Sequence, residues 1–461
     1  MGIFFQGVLM ADDTETGKII EKVVCKADAG QSYAMYLPSA YTAEKKWPII
    51  YAFHPGANGP AAVRQFEPAA EKYGYIVVSS NNAQNGPWEP IQQAGRAVWI
   101  DTRGRLAIDD QRIYSSGFSG GARVASVFRF IAKHPVAGII ACGAGLNTSL
   151  TPQMLKPSLY YGIVGLGDFN YSEMMRLEDQ LTDAGIQHRI LVFNGRHEWP
   201  PVEYCTMAVD WMEIQAVKQG LKPKNEQLSD ELFNKAVEQA RQWETEKNIF
   251  FAVSAYEDAG ELFDGLADTS AVKEKLRQLK ESKEYKRFLK EEKKREKKEA
   301  EFLELYRQVM SMIRYSVTSD LPGVEVISRD LEIPRLQKEA ARTDNIYDRG
   351  LAQRLLFGLG NNVLQFGSEY MQQGDSHRAG IFFDILDRLN PGHPSVLYNL
   401  ACYYSRFKQK KKALKYLEQA IEKGFNSLEH IEKDTDLDFI RNEPEYKVII
   451  ERLQKGGGTP N

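Results

Sequence analysis

The sequence predicts an α/β protein with a mostly parallel sheet, followed by an all-α region. Three observations carry that expectation. Between Gly17 and Gly220 short β-rich runs alternate with amphipathic stretches, glycine and proline gather after the runs, and beyond about Gly220 the strand signals stop. Strands separated by helical segments form parallel sheets, because a parallel connection needs a crossover long enough for a helix. A chain of 461 residues exceeds one ordinary domain of roughly 150 residues. A boundary is therefore expected near Gly220, with residues 1–220 forming the sheet domain and 221–461 the helical one.

In chain order the strand runs are Lys18 to Cys25, Ser32 to Leu37, Trp47 to Phe53, Tyr75 to Ser80, Arg112 to Ser116, Ala137 to Cys142, Leu159 to Val164 and His188 to Phe193. The first two are expected to pair as an antiparallel hairpin and the later ones to lie parallel. Turn residues cluster at His54 to Pro60, Asn81 to Pro90, Gly117 to Gly121, Gly165 to Asn170 and Asn194 to Pro201. Ligand sites in such sheets form outside the carboxyl ends of the strands, so these loops are where chemistry is sought.

Composition narrows the classes. A hydrophobic share of 43% with 26% charged residues belongs to a globular chain with a sizeable core. A net charge of -3 offers no basic stripe for a polyanion, so nucleic acid is not an expected partner. Cys25, Cys142, Cys205 and Cys402 form no C-x-x-C pair and read as mostly buried thiols. No apolar run approaches the ~20 residues that span a bilayer. Residues Met1 to Ala11 resemble the tail of a secretory h-region without its basic n-region, and equally an N-terminal extension or first strand. A secreted or periplasmic location is expected ahead of a cytoplasmic one.

The helical half contains a highly charged run, Lys273 to Glu304, whose opposite charges at helical spacing predict a long solvated helix held by i,i+4 pairs. A shift of 34 residues matches Gly367 with Ala401, Tyr370 with Tyr404, Ala379 with Ala413 and Phe383 with Leu417, with Pro391 closing the first unit. Small residues at these places let antiparallel helices approach while aromatics fill the groove. The two units, from about Gly360 to Gly392 and from His393 to about Phe425, resemble tetratricopeptide repeats. Ala240, Trp243, Ala252, Tyr256 and Ala259 suggest a degenerate third copy, or a chance match. Stacked repeats of this kind imply a concave face for a protein or peptide partner, or a structural cap.

Chemistry concentrates in Gly117-Phe118-Ser119-Gly120-Gly121. In G-x-S-x-G the serine occupies a tight strand-to-helix turn, where small neighbours tolerate strained backbone and leave the hydroxyl exposed. The motif follows a predicted strand and precedes an amphipathic helix to about Lys133, so Ser119 is the expected nucleophile. A serine hydroxyl needs a base, normally a histidine oriented by a carboxylate, in the chain order Ser, Asp or Glu, His. Of His134, His188 and His197, only His197 lies beyond the carboxyl end of a later strand. Asp168, after the strand from Leu159, is the expected orienting acid, with a plain turn aspartate as the alternative.

The oxyanion of a tetrahedral intermediate needs N–H donors. Gly120 is one candidate, and Gly56 or Ala57 the second, since Pro55 has no N–H. His54 is expected to shape its loop. Trp88 and Trp199, together with Phe118, are placed as walls of an acyl or aryl pocket, with simple packing as the other reading of the tryptophans.

Taken with His54-Pro55-Gly56, Asn85-Gly86-Pro87-Trp88, Gly167-Asp168-Phe169-Asn170 and Arg196-His197-Glu198-Trp199-Pro200-Pro201, the pentapeptide resembles the α/β-hydrolase esterases of the polyhydroxybutyrate depolymerase and feruloyl esterase group. The resemblance covers about the first 220 residues. It implies a serine carboxylic ester hydrolase working through an acyl-enzyme on feruloyl, acetyl, short-chain or polyester substrates. A peptidase of similar fold and a repeat-based adaptor with a vestigial hydrolase are the rivals. No metal or organic cofactor is expected. The helical half, continuing directly from the helix after His197, is expected to cover the mouth of the site.

Overall fold

The computed structural model describes residues 15–315, 317 and 321–456. The Met1 to Ala11 segment, on which the export expectation rests, lies outside them. The chain divides into two compact units, one ending at Lys293 and the other beginning at Lys294.

The first unit is built on eight strands: β1 (Ile19–Val24), β2 (Ser32–Tyr36), β3 (Trp47–Phe53), β4 (Ile76–Ser80), β5 (Ile108–Phe118), β6 (Gly138–Cys142), β7 (Leu159–Gly167) and β8 (His188–Arg196). Their order across the sheet is β1-β2-β4-β3-β5-β6-β7-β8. The β1/β2 and β2/β4 pairs are antiparallel and the others parallel. Every residue of β3, β4, β6 and β7 is buried, as expected where helices cover both faces and the strands carry continuous apolar runs. Those helices are α1 (Gly59–Arg64), α2 (Glu67–Tyr73), α3 (Trp88–Arg105), α4 (Gly120–Ala132), α5 (Tyr171–Asp183) and α6 (Val202–Lys218). This is an α/β-hydrolase fold with a mostly parallel sheet.

The first unit does not end at Gly220. It also holds α7 (Glu226–Thr245), α8 (Ile249–Leu262) and α9 (Ser270–Glu281). Leu232 and Phe263 cluster with Ile214 of α6, Lys72 at the end of α2 pairs with Asp210 and Glu231, and Arg189 at the start of β8 pairs with Asp258 at 2.5 Å. Lys72 and Arg189 lie at the amino ends of β4 and β8. Helices α7 and α8 are therefore anchored at the end of the sheet opposite to its carboxyl-end loops. The expectation that the helices after Gly220 roof the carboxyl-end mouth fails for this pair, because chain continuity from α6 does not decide which end of the sheet a hairpin packs against.

The charged run departs from a single solvated helix. It breaks at Ser282, whose ψ of 152° is extended and whose hydroxyl accepts the Tyr285 N–H at 3.1 Å, starting α10 (Lys283–Tyr315). Exposed pairs such as Arg277 with Glu281 do occur at i,i+4. Further along, however, Arg295 and Glu299 are buried. Arg295 meets Asp348 at 3.0 Å and Glu299 meets Arg354 at 2.6 Å. A charge tolerates burial when a partner and hydrogen bonds replace its water, and sequence spacing carries no sign of the partner.

Both partners lie on α13 (Ile346–Gln373). The second unit, which shares α10, comprises α11 (Val324–Asp330), α12 (Ile333–Ala340), α13 (Ile346–Gln373), α14 (Ser376–Leu389), α15 (Pro394–Arg406), α16 (Lys410–Glu422), α17 (Leu428–Lys433) and α18 (Pro444–Gly456). The 34-residue shift reappears in packing. Tyr370 stacks on Phe382 with rings 9° apart, and 34 positions later Tyr404 stacks on Tyr416 at 13°. Ala379, Ala401 and Ala413 are fully buried. Ala240, Tyr256 and Ala259 also share one buried cluster, but in the α7–α8 hairpin of the first unit.

Candidate active site

Strand β5 ends at Phe118 and α4 starts at Gly120, so Ser119 alone makes the turn, with φ 54° and ψ -121°. A side chain at positive φ costs about 1–3 kcal/mol and persists only where its surroundings impose it. Here they do. The Ser119 N–H donates to the Cys142 carbonyl on β6 at 2.8 Å. The flanking glycines admit backbone that no Cβ would allow: one on Gly117 would lie 2.8 Å from the Phe53 carbonyl oxygen, and one on Gly121 would overlap that same oxygen.

Asp168 and His197 are delivered by neighbouring strands. After a bulge, Gly167 of β7 pairs with Arg196 of β8, so the next residue of each strand leaves the sheet at the same level. Gly165 permits the close approach, since a Cβ there would meet the Gly195 and Arg196 carbonyl oxygens at 2.6 Å. Asp168 Oδ1 lies 2.9 Å from His197 Nδ1, and His197 Nε2 lies 2.9 Å from Ser119 Oγ. The three residues chosen from sequence order are thus brought into one hydrogen-bonded line.

Asp168 is fully buried. Its Oδ1 also accepts the Asn170 N–H at 2.8 Å, while Oδ2 has no hydrogen-bond partner among the described residues. Burial raises the Asp168 carboxyl above its ordinary value, and the hydrogen bond and charge of His197 pull it back. The His197 ring is enclosed by Phe118 at 4.8 Å and Phe169 at 4.4 Å between centroids. Phe118 in turn meets Trp199 at 5.5 Å. Trp88 heads α3 with 38% of its surface exposed and joins none of these ring contacts among the described residues.

The other histidines lie elsewhere. His134 packs on Trp99, and His188 Nδ1 sits 2.8 Å from the Ile186 carbonyl. His54 shapes its loop: its Nδ1 accepts the Gly56 N–H at 3.0 Å, its carbonyl accepts the Ala57 N–H at 3.0 Å, and its ring stacks beside Trp199. Burial holds its pKa below the ordinary histidine value, favouring the neutral ring. Both N–H groups expected to serve as the second oxyanion donor are thus engaged inside their own loop. Gly120 differs, because the first residue of a helix has no carbonyl four positions back within it.

Sequence reasoning assigned no role to three supporting residues. Asn170 Nδ2 donates to the Gly143 carbonyl at 2.7 Å, Gly143 at φ 66° leaves room for Phe118 and Asp168, and Phe169 covers His197. Phe169 and Asn170 stand beside Asp168 in the chain, which is the one signal that marked them. A separate cavity of about 90 Å³, lined by Tyr161, Arg189, Trp211, Leu232, Asp258 and Phe263 among others, contains none of these site residues. Among the described residues no cluster of His, Cys, Asp and Glu is arranged to hold a metal ion, and no helix is long and apolar enough to cross a membrane. All four cysteines are buried and free.

No sequence-family profile matches the chain, and no curated protein sequence matches it. Among solved structures, a thermophilic esterase from the Planctomycetes species Thermogutta terrifontis is 16% identical, with a TM-score of 0.33, covering 44% of this chain and 94% of its own. A ferulic acid esterase is 17% identical, with a TM-score of 0.34, covering 42% of this chain and 95% of its own. The Thermogutta terrifontis esterase phosphoramylated by tabun is 15% identical, with a TM-score of 0.34, covering 46% and 98%.

Proposed function

We propose that the chain is a serine carboxylic ester hydrolase acting through an acyl-enzyme. The observation that carries this reading is the line from Asp168 through His197 to Ser119, with 2.9 Å at each step, ending on a serine held at positive φ. Ser119 Oγ attacks the ester carbonyl carbon as His197 Nε2 takes its proton, and His197 then returns the proton to the departing alkoxide. Water, activated by the same imidazole, releases the acid. Asp168 keeps Nδ1 protonated and stabilises the imidazolium. The Gly120 N–H donates to the oxyanion.

Phe118, Trp199 and Trp88 are proposed as walls of an acyl or aryl pocket. The Trp199 indole packs beside the Phe118 and His54 rings and so offers an aromatic wall to an aryl acyl chain. That suits feruloyl esters alongside acetyl, short-chain and polyester substrates. The α13–α16 hairpins are read as two tetratricopeptide-like repeats that offer a face to a protein or peptide partner, on the strength of their repeated ring stacking.

Hydrolysis of short p-nitrophenyl esters by the wild type and by Ser119→Ala tests the reading. Wild-type turnover with a loss of at least about 10³-fold in the variant is expected. An inactive wild type would discard it and favour an adaptor working through the repeats, while equal turnover of matched amides would favour a peptidase.

A further inference from the structure

An acyl-transfer site of this architecture stabilises its oxyanion with two donors, one after the nucleophile and one from another loop. Gly120 supplies the first. In the loop after β3 the candidates expected from sequence are spent: Pro55 has no N–H, the Gly56 N–H is given to His54 Nδ1 and the Ala57 N–H to the His54 carbonyl, each at 3.0 Å.

A different polar group reaches Gly120. The carboxamide of Asn85 occupies the space where a side chain on residue 120 would begin: a Cβ there would overlap Asn85 Oδ1 and lie 3.0 Å from Nδ2. A half-turn about the last torsion, a soft one, exchanges the two ends of the carboxamide. Among the described residues no hydrogen bond engages this side chain. Its backbone, by contrast, is firmly held. The Asn85 N–H donates to the Pro55 carbonyl at 2.7 Å and the Gln84 N–H to the Asn82 carbonyl at 3.1 Å. Gln84 bridges Gly56, and Ser80 Oγ accepts the N–H groups of Asn82 and Ala83 at 3.1 Å. A braced loop thus presents an unspent amide donor to the first turn of α4, next to the nucleophile. It also accounts for glycine at position 120, since any side chain would evict Asn85.

We propose that Asn85 is a catalytic residue whose Nδ2–H is the second oxyanion donor, an inference that rests on the ester-hydrolase reading of Ser119. As Ser119 Oγ bonds to the carbonyl carbon and its proton passes to His197 Nε2, the carbonyl π pair moves onto oxygen. The Gly120 N–H and Asn85 Nδ2–H bind that charge. On collapse the pair returns to the carbonyl and the alkoxide leaves with the proton from His197.

The test uses the full chain with p-nitrophenyl acetate, comparing wild type, Ser119→Ala, Asn85→Ala and the near-isosteric Asn85→Asp, with thermal melts of each. Loss of one oxyanion donor lowers kcat by roughly 10²–10³-fold. Both Asn85 variants are expected to fall in that range, with KM moved by less than about threefold and melting temperatures near wild type. An alkyl boronic acid, whose adduct with Ser119 places an oxygen in the same position, should lose affinity in parallel with kcat. An active wild type with both Asn85 variants within about threefold in kcat overturns the proposal and leaves the ester-hydrolase reading standing. So does a change confined to KM. If Asn85→Ala melts early, a stable Asn85→Asp decides by the same criterion. A wild type no faster than Ser119→Ala overturns the ester-hydrolase reading itself.

Discussion

At the turn between β5 and α4, a Cβ on Gly121 would overlap the Phe53 carbonyl oxygen, whereas between α13 and α14 the nearest atoms to a Cβ on Gly367 would be side-chain atoms of Phe382 and Phe383, at 3.3 Å. The two regions use glycine for different reasons. Around Ser119 the obstacle is backbone fixed in a sheet, and it cannot yield without moving the nucleophile. Between the helices it is the Phe382 Cβ and the edge of the Phe383 ring, at distances that a shift of tenths of an ångström relieves. Buried acids divide the same way. Asp168 keeps one oxygen without a partner among the described residues, while Glu299 Oε2 accepts Arg354 Nε at 3.1 Å and Nη2 at 2.6 Å. The first region holds strain and an incompletely satisfied acid where chemistry is proposed; in the second the buried acid is ion-paired with Arg354.

Asp168→Asn tests that contrast with the largest effect. Activity should fall by about 10⁴-fold, because the amide no longer holds the productive histidine tautomer, yet the fold should keep or gain stability. Burial raises the Asp168 carboxyl, so the native state holds this proton more tightly than the unfolded chain. Wild-type stability from this group is therefore complete below about pH 4 and declines as pH rises through the raised value. Thermal melts should show the variant gaining on the wild type above about pH 4. A difference that stays constant up to pH 8 would break the comparison.

Gly121→Ala comes next. Overpacking against backbone is expected to cost about 1–3 kcal/mol, seen in denaturant unfolding, and the displaced serine to lose roughly 10²-fold in ester hydrolysis. Normal activity in this variant would mean that the turn is more pliable than its geometry. Gly367→Ala should do least. The gain of about 1 kcal/mol in helix propensity opposes a tight but yielding contact, so stability should stay within about 1 kcal/mol of wild type with activity unchanged. A loss of several kcal/mol there would show that α13 and α14 are packed as rigidly as the turn at Ser119.

The eight strands were legible because each is a short β-rich run followed by turn residues, and the order Ser119, Asp168, His197 was legible because each follows one of those runs. Both properties are local. Helix after helix in the second half was legible for the same reason, and so was the 34-residue repetition. What the chain does not carry locally is partnership. The insertion of β4 between β2 and β3, the attachment of α7 and α8 at the amino ends of the strands, and the burial of Arg295 and Glu299 against α13 depend on residues tens of positions away. The oxyanion side of the site follows the same rule. Gly56 and Ala57 looked available in sequence, and only the folded loop shows their N–H groups turned to His54 while Asn85 arrives from the next strand's end. Sequence by itself determined which elements form and where chemistry can sit, since periodicity and turn residues act over a few positions. Tertiary structure decided which donors remain unspent and which charges are buried, since those depend on what the rest of the chain brings alongside.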